Sequence, residues 1–344
     1  INYQFLDDGG NFEKSLPYHY FVLEMMIYPL LILKKNGILK ENPNLQNRIE
    51  KIINFSYNHL NGKNQIPIYG DLDSGYFFRF VPPYSLKNED NEFSLDDYSE
   101  LLRLIDMFDF ANNYSFNENE IVSFPDFGSY IFKNKNYRLN LFCGDFKDES
   151  KGGHIHNDNL SFTLDVGDEK FFVDTGTFNY TAFPELRNKF RSVKMHNSLQ
   201  LENLEQNEII PGIGGNLFWM KRKGKGRISN ITNNEITAEH NFNKVNYQRK
   251  IEFRESEIIF TDTCLSDGKK YLRLYLNPEI KSVSTIDNIV KIDYKSKSAD
   301  LIFINEIPKI EKSEISPNYG ELIETNLILV ETKNTIIEWK IIIK

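Results

Sequence analysis

The sequence predicts an α+β chain in two parts, a helical segment followed by a large antiparallel β-sandwich. Three observations predict it. At 344 residues the chain exceeds one ordinary core and calls for two. Up to Ala111, apolar residues recur at helical spacing; after about residue 125 they alternate in short runs rich in Ile, Val, Phe and Thr.

The first helix is read over residues 16 to 36, LPYHYFVLEMMIYPLLILKKN, apolar nearly all round, capped by Ser15 and closed by Gly37. Pro29 inside it predicts a kink or a division, because proline removes one backbone hydrogen bond and clashes with the turn before it. The second spans Pro43 to Leu60 after the cap Asn42, with Leu45, Ile49, Ile52, Ile53 and Tyr57 on one face. A third runs from Leu95 to Ala111 with Leu101, Leu102, Leu104, Ile105 and Phe108, after an acidic, solvated loop at residues 86 to 97.

The β part reads through YRLNLFC, LSFTLDV, KFFVD, NSLQLEN, RKIEF, EIIFTD and YLRLYL to DNIVKIDY, DLIFINE, LIETNLILVET and TIIEWKIII. A dozen or more strands in succession, without intervening helices, imply a sandwich. The boundary falls near 112 to 125, and a division at 118 gives a helical part, 1–118, and a β part, 119–344.

Composition is ordinarily globular, 40% hydrophobic and 26% charged, and no apolar run approaches the roughly 18 residues of a membrane span. A net charge of −8 argues against general affinity for nucleic acid, so an acidic ligand would need a local basic patch. Cys143 and Cys264 are too few for a disulfide framework and read as two buried thiols.

Chemistry concentrates in residues 152 to 199, which hold three of the six histidines. His154 and His156 flank Ile155 and would share a face if extended, while Asp174 follows a strand and His196 precedes one. Two imidazoles and a carboxylate suit Zn²⁺ with one open position. On spacing alone, histidines satisfied by backbone groups are the commoner outcome. Arg187, Lys189, Arg191 and Lys194 place four cations in eight residues, the local patch that the acidic whole lacks.

The segments GGHIHNDNLSF, VDTGTFNY, RNKFRS and HNSL, with DDGGNFEKSLPYH near the start, occur in the order seen in the heparinase II/III family of polysaccharide lyases, which this chain resembles from about residue 6 to 207. The resemblance implies the C-terminal part of an incomplete α/α toroid followed by an antiparallel sandwich. It also implies β-elimination on an acidic, uronate-containing polysaccharide such as a glycosaminoglycan, in the periplasm or outside the cell. Residue by residue, it implies catalytic roles for Tyr18 and His154, Zn²⁺ ligation by His156, Asp174 and His196, and substrate contacts from Arg187, Arg191, Asn157 and Glu13. The resemblance also implies a carboxylate-neutralising Asn or His on an earlier helix, expected upstream of this chain's first residue. For Tyr18 a core aromatic, for Glu13 a helix-start carboxylate and for Asn157 a turn residue are the plainer readings. Two other functions compete: a non-catalytic carbohydrate-binding or assembly protein that keeps the fold, and a hydrolase with paired carboxylates, for which no pair stands out among 49 acids. His19, His59 and His240 stay structural or unassigned.

Overall fold

The structure is a computed structural model that describes residues 1–38, 42–77, 98–107, 118–146, 151–210 and 215–344. Helix α1 (Leu16–Lys35) starts where Ser15 Oγ accepts from the Tyr18 amide at 3.2 Å and ends with Lys34 and Lys35, whose charge suits the C-terminal dipole. It continues through Pro29 as one helix, so the expected division does not occur. By length and composition it is apolar enough to cross a membrane, contrary to the reading above. Half of that stretch is buried inside the protein, as in a core helix. Helix α2 (Pro43–His59) is capped by Asn42, whose Oδ1 accepts from Asn44 and Leu45, and α3 covers Ser99–Asp106. The remainder of the expected third helix, at 95–97 and 108–111, and the acidic loop at 86–97 lie outside the described residues.

All the paired strands are antiparallel. A five-stranded sheet runs in sequence order through β1 (Ile121–Phe124), β2 (Ser129–Lys133), β3 (Tyr137–Phe142), β4 (Phe162–Val166) and β5 (Glu169–Phe172). Then come β6 (Leu199–Leu201), the small pair β7 (Glu208–Ile209) and β8 (Met220–Lys221), β9 (Gly224–Ile231), β10 (Glu235–Phe242), β11 (Val245–Phe253), β12 (Glu257–Cys264) and β13 (Lys270–Tyr275). The chain closes with β14 (Ser282–Ile286), β15 (Ile289–Tyr294), β16 (Lys297–Ile304), β17 (Lys309–Ile315), β18 (Ile323–Thr332) and β19 (Ile336–Ile343). Eight of these form one sheet, ordered β14-β15-β16-β19-β12-β11-β10-β9, and β17-β18-β13-β6 form another. Helices do interrupt the strands: α4 (Pro184–Phe190), a 3-10 turn at Val193–Met195 and α5 (Gly215–Phe218).

The alternation of side chains along a strand explains how the parts join. On β2, Tyr130 and Phe132 enter the sandwich core with Leu164, Phe260 and Trp339, whereas Ile131 between them enters the helical core with Ile27, Ile53 and Phe55. The first sheet is therefore buried on both faces, and the loops at its edge stand beside the start of α1. Within the sandwich, buried Arg249 and Asp262 pair at 2.6 Å, and Asp262 also accepts from Tyr247 and Trp339. Cys143 and Cys264 are free and buried.

Candidate functional site

Four segments meet the start of α1, which carries Tyr18, to build the site. The turn after α2 brings Tyr69 to Asp73 across the start of α1, where the Leu16 amide donates to the Tyr69 carbonyl at 3.0 Å and Ser15 Oγ to the Asp71 carbonyl at 2.7 Å. Ser15 thus caps α1 and anchors this turn. The loop between β3 and β4 carries His154 and His156, and its His154 carbonyl accepts from the Asp71 amide at 2.9 Å. Gly70 has a φ of +70°, and a Cβ there would lie 2.4 Å from that carbonyl, so only glycine allows the approach. The loop after β5 brings Asp174 and Tyr180, and the stretch from α4 to β6 brings Arg187, Arg191 and His196.

The side chains form two layers. On the half-exposed side, the Tyr18 ring stacks on the His154 ring with centroids 4.1 Å apart and planes at 25°. The Tyr18 hydroxyl donates to Asp73 at 2.9 Å and meets the Tyr180 hydroxyl at 3.0 Å. The two predicted catalytic residues are therefore together, but as a stack, with the hydroxyl turned toward Asp73 and Tyr180. Burial pushes the Tyr18 phenol above its ordinary range, and the Asp73 and Asp71 carboxylates add to this against the Tyr180 hydrogen bond. Glu13 Oε2 stands 3.8 Å from His154 Nε2.

Beneath lies Asp71, fully buried. Its Oδ2 is 3.0 Å from His154 Nδ1, its Oδ1 is 2.8 Å from His156 Nε2, and both oxygens accept from Arg187. Burial alone would raise the Asp71 carboxyl, but the Arg187 guanidinium and the two imidazoles hold it well below the usual carboxylate range. Arg187 also covers the rings of Tyr180 and Phe218, 4.9 and 5.6 Å from their centroids.

The expected solvent-facing basic patch is not formed by its arginines. Arg187 and Arg191 are both 0% exposed, the first forked on Asp71 and the second donating to the Leu217 carbonyl at 2.8 Å. Burial, with Arg187 nearby, pulls Arg191 down to about 9. Lys194 is exposed, and Lys189 reaches Glu314 at 3.6 Å. Asn157, read as a substrate contact, is buried and clamped to Glu205 at 2.6 Å and to both backbone groups of Asn207. It fastens one loop to another.

His156, Asp174 and His196, all buried, offer ligand atoms within 4.8 Å of one another. Asp174 Oδ2 is 2.6 Å from His196 Nδ1, and its Oδ1 accepts from the Gly176 amide at 2.9 Å. Among the described residues, His156 Nδ1 and His196 Nε2 are buried without a hydrogen-bond partner. Such atoms are costly unless something binds them, and this donor set fits a zinc-type ion. Burial lowers His156 to about 4; burial also presses His196 down, but the carboxylates of Asp174, Asp158 and Glu205 together raise it. Asp71, Asp73 and Tyr180 escape the sequence reading. Tyr180 lies inside a quoted motif, but the only local sign of Asp71 is the glycine before it.

A family model described as Heparinase II/III-like, C-terminal, matches residues 117–340. The chain belongs to this family. Solved structures agree in fold: a heparinase III gene product with methylated lysines (TM-score 0.72, 17% identity, 99% of this chain and 52% of that one) and a heparan sulfate lyase variant from Pedobacter heparinus (0.72, 18%, 99% and 54%). A chondroitin AC lyase variant from Streptomyces coelicolor is more distant (0.57, 8%, 98% and 54%). No curated protein matches the chain by sequence. The chain thus spans about half the length of the solved structures it matches. Its large antiparallel sheets are the C-terminal sandwich of the heparinase II/III-like family.

Proposed function

We propose that this chain is the C-terminal part of a polysaccharide lyase that cleaves an acidic, uronate-containing polymer by β-elimination. In this reading residues 1–118 close an incomplete α/α toroid, residues 119–344 form the sandwich domain, and the protein works in the periplasm or outside the cell. The observation that carries the reading is the stack of Tyr18 on His154, two residues more than 130 positions apart, at a half-exposed surface between helices and sandwich.

β-Elimination removes the proton alpha to the uronate carboxylate, forms the C=C bond, and breaks the C–O bond to the leaving sugar. His154, whose Nδ1 is engaged by Asp71, has Nε2 on the side of Glu13, away from Asp71, to take the alpha proton. Tyr18, held protonated by burial, donates to the leaving oxygen. Transfer of the proton from the imidazolium to the phenolate restores the resting pair. Glu13 stands beside that nitrogen, and Arg187 acts from below through Asp71. His156, Asp174 and His196 would hold Zn²⁺, which when bound would tie the three loops of the sandwich together.

Full-length protein incubated with heparan sulfate, chondroitin sulfate, hyaluronan and alginate tests this. Ultraviolet absorbance from an unsaturated uronate is expected with at least one polymer. Binding without absorbance from any of them would favour a carbohydrate-binding or assembly role, and new reducing ends without absorbance a hydrolase.

A further inference from the structure

Asp71 is in contact with a proposed catalytic residue, a proposed metal ligand and a buried arginine at once. An ionised carboxylate can only accept hydrogen bonds, and an arginine guanidinium can only donate them. With Arg187 forked over both oxygens, Asp71 faces its two histidines as an acceptor on each side. The ring nitrogens that meet it must therefore carry hydrogen: Nδ1 of His154, at 3.0 Å, and Nε2 of His156, at 2.8 Å. Each neutral imidazole has one N–H and one lone pair, so the lone pairs fall on the opposite atoms. These are His154 Nε2, on the half-exposed side beside Glu13, and His156 Nδ1, the buried nitrogen without a partner among the described residues.

We propose that Asp71 is a positioning residue that sets opposite tautomers in two neighbouring histidines, giving His154 a basic Nε2 toward substrate and His156 a ligating Nδ1 toward a divalent ion. The proposal deepens the lyase reading and rests on it for the roles of the two rings, although the tautomers themselves do not depend on turnover. The backbone supports the same design. The Asp71 amide donates to the His154 carbonyl and Ser15 holds the Asp71 carbonyl, so the carboxylate is fixed relative to both α1 and the histidine loop. A displacement of the turn would disturb proton acceptor and metal ligand together.

Nitrogen-15 NMR of the imidazoles in metal-free wild-type protein at about pH 8 is the first test, with His154→Gln and His156→Gln used to assign the signals. His154 is expected as the Nδ1–H tautomer and His156 as the Nε2–H tautomer. A His154 signal from the Nε2–H form, or from an averaged mixture, overturns the proposal. The second test is Asp71→Asn, whose amide can accept from one ring but presents N–H to the other. One histidine should then change tautomer. Zn²⁺ affinity, read by competition with a chromogenic chelator, should fall roughly 10- to 100-fold. In the full-length enzyme kcat should fall while KM changes little. Unchanged tautomers and unchanged zinc affinity in a folded Asp71→Asn protein overturn the proposal. If that variant does not fold because Arg187 loses its partner, the wild-type tautomers decide alone. If no polymer is cut by the wild type, the lyase reading fails, and the tautomers still stand or fall by the spectra.

Discussion

The phenol of Tyr18 lies against the imidazole of His154 with ring centroids 4.1 Å apart, yet its hydroxyl bonds to Asp73 and Tyr180. Ring position and proton path are thus set by different partners. Tyr18→Phe keeps the stack and removes the proton. Turnover of the full-length enzyme should drop roughly 10²-fold or more, while stability changes by only about 1 kcal/mol, the net worth of a typical side-chain hydrogen bond. His154→Ala should lose as much turnover, and the double variant should be scarcely worse than either. Steady-state kinetics on the polymer that gives unsaturated uronate checks this; additive losses would separate the two residues.

His156, Asp174 and His196 are the buried trio predicted to ligate zinc. Purified protein should hold one Zn²⁺ per chain by metal analysis, and removing it with a chelator should lower Tm. His156→Ala should abolish stoichiometric zinc and make Tm insensitive to the chelator, since an ion bound only by the folded state adds its binding energy to stability. Equal Tm for wild type with and without chelator would count against a structural ion.

Much of this site is written locally, and the remainder is not. Helix starts are legible because Ser15 and Asn42 are capping residues before apolar runs, and both caps form. The histidine cluster is legible because its members lie within one stretch of sequence. Asp71 is one of 49 acids, and its partners are 83, 85 and 116 residues away, so only tertiary structure singles it out. The arginines of the basic stretch mislead for a related reason. Charge spacing reports where cations are in the chain, whereas burial of Arg187 and Arg191 depends on a carboxylate and carbonyls supplied from elsewhere. Helix α4, with seven residues, is too short to declare itself by periodicity. Pro29 is tolerated where tertiary packing holds the helix around it.

Three buried histidines outside the site should each weaken the fold as pH falls below about 6.5. His59 and His240 are buried and pushed down to about 3 by that burial, and His19 is held well below 6.5. Unfolded, each takes up a proton near pH 6.5; folded, each stays neutral. Their contribution is therefore fully present above about pH 6.5 and is lost as pH falls toward 3, at up to about 1.4 kcal/mol per pH unit for each ring. Because burial raises the Asp158 carboxyl to about 7, and the folded His196 is raised as well, part of this loss is offset, so the test is the difference between wild type and a histidine variant in urea denaturation at pH 7.5 and pH 5. His59→Gln, which keeps an amide near Ser129 and the Phe55 carbonyl, should reduce the pH slope by about one proton. An unchanged slope would mean that His59 is charged in the fold.

The last prediction lies in the sandwich and reaches the site through the backbone. Arg249 and Asp262 are both fully buried, and Arg249 also donates to the carbonyls of Leu160 and Asn197 at 2.6 and 2.8 Å. Asn197 follows His196 directly and is itself bonded to the Phe162 and Val173 carbonyls, so this guanidinium braces the strand end that carries a predicted metal ligand. Asp262→Ala leaves the guanidinium buried without its counter-charge and strips the Tyr247 and Trp339 donors of their acceptor. Such a loss costs about 3 to 5 kcal/mol, more than an exposed pair could. The urea midpoint should fall accordingly, and zinc affinity should weaken with it. Replacing Arg249 and Asp262 together with Met and Leu should recover part of the stability, because no charge is then left unpaired, although the Tyr247 and Trp339 donors still lack their acceptor. It should not restore zinc affinity, because the carbonyl of Asn197 would still lack its donor. Recovery of both would show that the ion pair contributes packing alone.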